Sequence, residues 1–309
     1  MSIRRWLALL AAPAAAMALC ATPAVASTAR PAAPGGTEII VADTAFGWSL
    51  AVGSGPFKNY SLYYITSDHG RSFGCTTGVT QAAFGPITCT GPSNDKNAEW
   101  PALTTNGRPV AGPGVQQSLL GRVYRKGVGW QVTYAGHPLY LFDEAPAQVT
   151  GEGWFEPGIP PWHGVWWLIS ASGQPVPWAG TLTTMKIGGN RVLAEPFLTG
   201  GGWIDFPVYT FSDDQWYGTT TTCGAIPACA RAWPAVLTSD SPGARGVPAS
   251  GINEIVLPGG LRQVTWWGQP LYLFSNEQAA PTANGGFAPL GNGNNITAFG
   301  GTFHLVYNP

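Results

Sequence analysis

The chain has 309 residues, of which only 10% are charged, and its formal net charge at pH 7 is -1. This balance argues against nucleic acid and against an anionic membrane surface as partners, because binding to either depends on an excess of Lys and Arg. Gly (42), Pro (28), Trp (14), Phe (13) and Tyr (10) are abundant, and this composition favours an all-β extracellular protein over a disordered one.

The first 26 residues have the pattern of an export signal peptide. Arg4 and Arg5 precede an apolar run at residues 7–21, and small residues at 24 and 26 provide a cleavage site. The apolar run is too short and too rich in Ala and Pro to span a membrane. We therefore expect a secreted or cell-surface protein with no membrane span, in which residues 27–36 form a flexible tether.

Short runs rich in Val, Ile, Thr and aromatic residues follow along the chain, separated by Gly, Pro and Asn clusters, and helical periodicity is nearly absent. The runs predicted as strands are EIIVA, GWSLAV, SLYYIT, WQVTY, PLYLF, VWWLIS, PVYTF, QVTWW and FHLVY. In PLYLF, Leu139 and Leu141 share one face of the strand and Tyr140 and Phe142 share the other. Both faces are apolar, which predicts burial on both sides, as in a sandwich or small barrel.

Three segments of the chain recur in the same order, and the second copy of each lies 132 to 137 residues after the first. The pairs are WPAL (100–103) with WPAV (233–236), QVTYAGHPLYLF (131–142) with QVTWWGQPLYLF (263–274), and HGVWWLIS (163–170) with GGTFHLVY (300–307). Such repetition indicates a duplication. We expect two tandem β units built from short strands and hairpins, at residues 37–171 and 180–309, joined by the Gly- and Pro-containing segment 170–180.

Four cysteines remain once Cys20 is removed with the signal peptide, and an exported chain is expected to use them in two disulfides. Four cysteines allow three pairings. One pair in each half favours Cys75 with Cys89 and Cys223 with Cys229. A metal site is the alternative, but CxxC spacing and nearby histidines are missing.

The segment YTFSDD, from Tyr209 to Asp214, has the pattern Tyr-x-aromatic-x-x-Asp and is followed by a cysteine pair and by Trp-Pro. It resembles a family of secreted repeat proteins and predicted lipoproteins described by a YxFWYxxD motif, which has no assigned reaction. Three further copies depart from the pattern: Ile65 replaces the aromatic residue in one, while Glu277 and Ala145 stand at the acid position in the others. The motif positions are Tyr63, Asp68, Tyr140, Phe142, Tyr209, Phe211, Asp214, Tyr272, Phe274 and Glu277.

We expect these motif positions to be mainly structural, because the two copies of PLYLF keep their apolar letters while the polar letters around them change. A carboxylate at the end of a strand can accept hydrogen bonds from backbone N–H groups of the next turn or from a neighbouring hydroxyl. The alternative is a calcium site assembled from oxygen ligands. Its candidate ligands would be Asp143, Glu144, Asp213, Asp214 and Glu277, but no EF-hand spacing supports it, and we expect no metal and no cofactor.

Trp154 and Trp162, in the aromatic stretch at 153–167, are the candidate ligand surface together with Asp213. Exposed Trp faces held in a Gly- and Pro-rich frame can stack on sugar rings, whereas packing into the core is the alternative role for these side chains. No GxSxG, HExxH, phosphate-loop or GxGxxG pattern is present, and the four histidines occur singly.

The sequence thus predicts a non-catalytic, exported binding module whose partner is a cell-wall glycan or an envelope protein. The alternative is an extracellular hydrolase or a carbohydrate-binding protein.

Overall fold

The computed structural model describes residues 35–68, 70–82, 85–142, 151–156, 163–199, 202–282 and 287–309. Short β-strands dominate these ranges, and the only α-helices within them are the short α1 (Thr222–Ala225) and α2 (Pro227–Ala232). The expected all-β fold is confirmed. The strands form several sheets of two to four strands rather than one continuous sheet.

The first half of the chain contains eleven strands in its described residues and a 3-10 turn at Gln117–Leu119. The strands are β1 (Glu38–Thr44), β2 (Gly47–Val52), β3 (Tyr63–Ile65), β4 (Val79–Ala82), β5 (Gly85–Thr88), β6 (Val110–Ala111), β7 (Leu120–Arg125), β8 (Gly129–Tyr134), β9 (His137–Pro138), β10 (Phe155–Glu156) and β11 (Gly164–Leu168). They pair in the orders β2-β1-β6, β10-β11-β3, β7-β8-β9 and β4-β5.

The second half contains thirteen strands in its described residues, the two helices and a 3-10 turn at Ala249–Gly251. The strands are β12 (Thr181–Ile187), β13 (Asn190–Thr199), β14 (Gly202–Pro207), β15 (Tyr209–Phe211), β16 (Leu237–Thr238), β17 (Gly243–Ala244), β18 (Ile252–Val256), β19 (Arg262–Trp266), β20 (Gln269–Pro270), β21 (Ala279–Pro281), β22 (Phe287–Pro289), β23 (Ile296–Ala298) and β24 (Gly301–Leu305). They pair in the orders β14-β13-β12-β17, β15-β24-β23, β18-β19 with β16 and β20 also on β19, and β21-β22.

Several strand pairings occur once in each half. β1 pairs in parallel with β6, as β12 does with β17. Tyr63 lies opposite Leu168 in the antiparallel pair β3-β11, and Tyr209 lies opposite Leu305 in β15-β24. These recurring registers are what a duplication predicts, and they support it. Between the cysteines the halves differ, because the first has the hairpin β4-β5 where the second has the helices α1 and α2.

The predicted hairpin that leads into PLYLF is present in both copies. Ala135 and Gly136 turn the chain with φ angles of 50° and 87°, and Trp267 and Gly268 do so with 48° and 81°. Positive φ at both central residues is the type I′ geometry that suits a two-residue hairpin, which explains the glycine in each copy. Regular pairing in the second strand ends at Pro138 in the first copy, earlier than expected.

The segment that follows Pro138 is inserted between two other parts of the chain. The backbones of Tyr140 and Tyr63 exchange two hydrogen bonds of 2.9 and 3.0 Å, while Leu141 donates to the carbonyl of Pro101. Tyr272 pairs with Tyr209 in the same manner in the second half. Burial of the segment on both faces, predicted from its apolar letters, therefore has a structural basis: a neighbouring segment lies along each side.

Three buried clusters hold the fold together. The central cluster takes residues from both halves, and Phe155 meets Phe206 in it with ring centroids 4.6 Å apart. Each half also has a cluster of its own, built around Trp100 in the first half and Trp233 in the second. The segments 37–171 and 180–309 are thus joined through shared apolar packing as well as through the chain, and burial of this area is a main contribution to stability.

The two disulfides are Cys75–Cys89 and Cys223–Cys229, as the sequence predicts. All four cysteines are fully buried. Each bridge lies in the cluster that belongs to its own half. Each therefore ties the segment after the first motif of its half to the core beneath it.

Candidate functional site

The motif carboxylates serve as hydrogen-bond acceptors for the fold. Asp68 accepts from the Tyr140 hydroxyl at 2.5 Å and from the Gly74 backbone N–H at 2.7 Å. Asp214 accepts from the Tyr272 hydroxyl at 2.5 Å and from the backbone N–H of Thr222 at 2.7 Å. Each carboxylate thus joins the PLYLF segment to the loop before the cysteines. These contacts support the structural role expected for the motif.

Glu277, in the fourth motif copy, is buried and makes contacts of the same kind. Its Oε2 atom accepts from the Tyr209 hydroxyl at 2.5 Å, and its Oε1 atom accepts from the backbone N–H of Gly291 at 2.6 Å. Burial raises the pKa of Glu277, and the hydrogen bonds from Tyr209 and the backbone lower it in part. The carboxyl of Glu277 therefore holds the turn near Gly291 against the core.

Arg125 is a buried cation that the sequence analysis missed. Its Nη1 atom donates to the Tyr140 hydroxyl at 2.7 Å and to the Gln131 side chain at 2.8 Å, and its Nη2 atom donates to the Cys75 carbonyl. Burial raises the pKa of Asp68 to about 6, although the Tyr140 hydrogen bond and the Arg125 charge both lower it. All donors of this network point at protein groups. It therefore supports folding rather than ligand binding.

The predicted ligand surface is only partly described. Trp154 is half-buried and packs on Phe142 and Trp100, at centroid distances of 5.3 and 6.3 Å. Its ring therefore has the packing role that we gave as the alternative. Asp213 is exposed and belongs to the second half, while Trp162 lies outside the described residues.

A different surface has the features of a ligand site: a cleft of about 640 Å³ to which both halves contribute. We call it the aromatic cleft and define it by Phe46, Glu152, Trp178, Leu198, Trp203 and Arg245. Phe46 lies in the β1-β2 turn and Glu152 lies just before β10. The linker carries Trp178, the hairpin β13-β14 carries Leu198 and Trp203, and Arg245 follows β17. Small-molecule sites of proteins have volumes of about 300–1,000 Å³.

Two tryptophans form the main wall of the aromatic cleft. Trp203 is 65% exposed and meets Trp178 with ring centroids 5.9 Å apart and planes inclined by 64°. Behind the wall, Trp178 packs on Phe197. A Cβ atom at Gly153 would lie 1.5 Å from the Trp178 ring, so glycine is needed at this position for the close approach. The inner ring is therefore fixed by packing, while the outer ring presents a free face.

Glu152 is the polar group of the aromatic cleft and is only 3% exposed. Its Oε2 atom accepts a hydrogen bond from the Leu168 backbone N–H. Among the described residues, no group hydrogen-bonds to its Oε1 atom. Burial raises the pKa of Glu152 well above its ordinary value, since the Leu168 hydrogen bond offsets only part of the desolvation. The cleft therefore contains a protonated carboxyl group with unused hydrogen-bonding capacity.

Arg245 and Asp205 form an ion pair at the rim of the aromatic cleft. The Nη2 atom of Arg245 lies 3.2 Å from the Oδ1 atom of Asp205, and Arg245 also donates to the Thr183 hydroxyl at 3.3 Å. Burial raises the pKa of Asp205, and the Arg245 charge lowers it. With Glu152 protonated, this pair leaves the cleft without net charge.

Glu99 and Glu156 form a second group of acids that the sequence analysis missed. Burial raises the pKa of Glu99 to about 7. Burial and the Glu99 charge raise the pKa of Glu156 well above its usual range, against lowering by hydrogen bonds from the Trp154 and Trp100 indoles. Two carboxyl groups that interact in this way lose their protons one after the other. No pattern in the sequence marks the pair, because Glu99 and Glu156 lie far apart along the chain.

The described part of the chain brings no three His, Cys, Asp or Glu side chains together in a way that could hold a metal ion. Of the calcium ligands considered from the sequence, Asp214 and Glu277 are engaged in the hydrogen bonds given above, while Asp143 and Glu144 lie outside the described residues. No helix in the described ranges has the length and apolar character needed to cross a bilayer.

Comparisons with protein-family models, with curated proteins and with solved structures found no match.

Proposed function

We propose that this protein is an exported, non-catalytic binding module of the cell envelope or the extracellular space, and that the aromatic cleft is its ligand site. The observation that carries the proposal is the exposed Trp203 ring, supported by Trp178 in a cleft that both halves form. Exposed aromatic rings on a rigid frame are typical of binding surfaces, since they supply contact area at a low cost in conformational entropy.

Export is part of the same proposal. The N-terminal signal pattern supports it, as do the two disulfides, which persist in oxidising compartments. The hydrogen-bonded motif positions are compatible with the proposed likeness to the YxFWYxxD secreted-repeat family. A cell-wall glycan or an envelope protein is the proposed partner of the module.

The experiment is a binding assay of the purified mature protein on isolated cell-wall and envelope fractions, with and without calcium chloride. Trp203→Ala is the test variant, and Trp216→Ala is its matched control, because Trp216 is 62% exposed and does not line the cleft. We expect saturable binding that Trp203→Ala weakens at least tenfold, that Trp216→Ala leaves unchanged and that calcium does not alter. Equal binding by both variants and the unmutated protein would refute the assignment of the cleft.

Hydrolysis is the second candidate function, and the Glu99-Glu156 pair is the observation that favours it. An acid that holds its proton near neutral pH, beside one that titrates there, can divide the roles of general acid and general base. The test is the release of reducing ends from cell-wall polysaccharide by the unmutated protein and by Glu156→Gln. Release of the same amount by both would exclude these acids from the chemistry.

A further inference from the structure

We propose that the aromatic cleft binds a neutral carbohydrate, with one sugar ring stacked on Trp203 and one sugar hydroxyl hydrogen-bonded to Glu152. This inference rests on the proposed function, because it assigns a ligand class to the same cleft.

The shape of the wall is the first argument. Trp203 presents a broad apolar face, and Trp178 stands beside it with the two ring planes inclined by 64°. A pyranose ring has an apolar face of C–H groups that can lie on one indole, while its edge reaches the second. The volume of about 640 Å³ leaves room for more than one sugar unit.

The unused oxygen of Glu152 is the second argument. A buried polar atom without a partner is costly, so a ligand that supplies a hydrogen bond there is favoured over one that does not. A sugar hydroxyl can donate and accept, and it therefore fits the carboxyl group in either protonation state. A purely apolar ligand such as an acyl chain would leave Glu152 unpaired in contact with hydrocarbon.

Charge is the third argument, and it excludes strongly ionic ligands. Arg245 is already neutralised by Asp205, so an anionic ligand would have to compete with a carboxylate for the guanidinium. Burial keeps the pKa of Glu152 high, so a cationic ligand would find a neutral acid there and Arg245 at the rim. A neutral ligand carrying hydroxyl groups meets neither penalty.

The test uses the purified mature protein and measures binding by calorimetry and by tryptophan fluorescence. The probes are neutral oligosaccharides of glucose, galactose, mannose and N-acetylglucosamine. Oligomers of galacturonate and of glucosamine serve as anionic and cationic probes, and lauric acid serves as the apolar probe. We expect binding of at least one neutral oligosaccharide and much weaker binding of the charged and apolar probes.

Three variants connect this binding to the cleft. Trp203→Ala should weaken binding at least tenfold, whereas Trp216→Ala should leave it unchanged. Glu152→Gln should bind within about threefold of the unmutated protein, a difference below 1 kcal/mol, because the amide keeps an acceptor and adds a donor without charge. A thermal melt of each variant checks that it is folded.

The failures of the two proposals can be told apart. If no neutral oligosaccharide binds at concentrations up to about 10 mM, the carbohydrate assignment is overturned. Binding of a charged or apolar probe that Trp203→Ala abolishes would overturn the ligand class and leave the cleft as a binding site. If a neutral oligosaccharide binds equally well to Trp203→Ala, both the carbohydrate site and the proposed role of the cleft are wrong.

Discussion

The hydroxyl of Tyr272 donates a hydrogen bond to the Oδ2 atom of Asp214, 58 residues earlier in the chain, at an O–O distance of 2.5 Å. Both side chains are buried. Burial raises the pKa of Asp214, and the hydrogen bond from Tyr272 lowers it in part. The contact connects the second copy of PLYLF with the loop that leads to the first cysteine of its half.

Tyr272→Phe should therefore destabilise the protein by about 1 to 3 kcal/mol, because it leaves a buried carboxyl oxygen without its donor. Urea unfolding followed by tryptophan fluorescence measures the effect. Tyr217→Phe is the control, since Tyr217 is 72% exposed, and it should leave the unfolding midpoint unchanged. An unchanged midpoint for Tyr272→Phe would show that the contact adds nothing to stability.

Phe274→Ala should cost about 3 to 5 kcal/mol, the usual cost of truncating a buried phenylalanine. Its ring stacks on Trp233 with centroids 4.3 Å apart. The loss should appear as a lower midpoint in chemical denaturation. Phe274→Leu keeps most of the volume and should lose much less, so an equal loss in the two variants would count against packing as the cause.

Glu277→Ala should also be destabilising, by about 1 to 3 kcal/mol, because it leaves the Tyr209 hydroxyl and the Gly291 N–H unpaired. The same denaturation experiment measures it. From the sequence, a small effect was expected unless this carboxylate holds the next turn, and the structure shows that it does.

Loss of the Cys75–Cys89 bridge should cost more than loss of Cys223–Cys229. The bridges close loops with sequence separations of 14 and 6, for which the entropy of the unfolded chain gives about 3 and about 2 kcal/mol. Denaturation of the two double Cys→Ser variants tests this order. Peptide mapping without reduction tests the pairing itself, and a peptide linking Cys75 to Cys223 would contradict it.

The protein should be more stable at about pH 5 than at about pH 8, since its buried acids bind protons more tightly when folded. Asp68 has a raised pKa of about 6 and Glu99 one of about 7, against ordinary values of 3.8 and 4.5. The folded state holds these protons to higher pH than the unfolded state does. The stability they contribute is complete below the ordinary values and is lost as the pH rises through 6 to 7.

Melting curves across this pH range provide the measurement. Glu99→Gln should show a smaller fall in melting temperature with rising pH, because it removes one of the titrating groups. A melting temperature that rises toward alkaline pH would contradict the raised pKa values.

The sequence predicted those parts of the fold that depend on local pattern. The apolar letters of PLYLF indicated burial on both faces, and the position of one cysteine pair in each half indicated the two bridges. The duplication remains a prediction that the recurring registers support. Superposition of the two halves in an experimental structure should place Tyr140 on Tyr272.

The aromatic cleft could not be predicted, because its walls meet only when the linker and both halves are packed. Nothing in the letters around Trp203 distinguishes it from the tryptophans of the core. Arg125 was missed for a similar reason: its acceptors Gln131, Tyr140 and Cys75 come from separate segments. The helices α1 and α2 are too short to show a periodic apolar pattern.

Neighbouring side chains of PLYLF face different buried clusters. Leu139 and Leu141 belong to the central cluster, while Tyr140 and Phe142 belong to the cluster of the first half. The second copy divides its side chains in the same way. A substitution at any of these positions therefore leaves a void or a clash in one core, and its rescue requires a compensating substitution elsewhere in the chain. In a library of randomised variants, these positions should tolerate the fewest amino acids, and accepted changes should occur in pairs with residues of the cluster that each position faces.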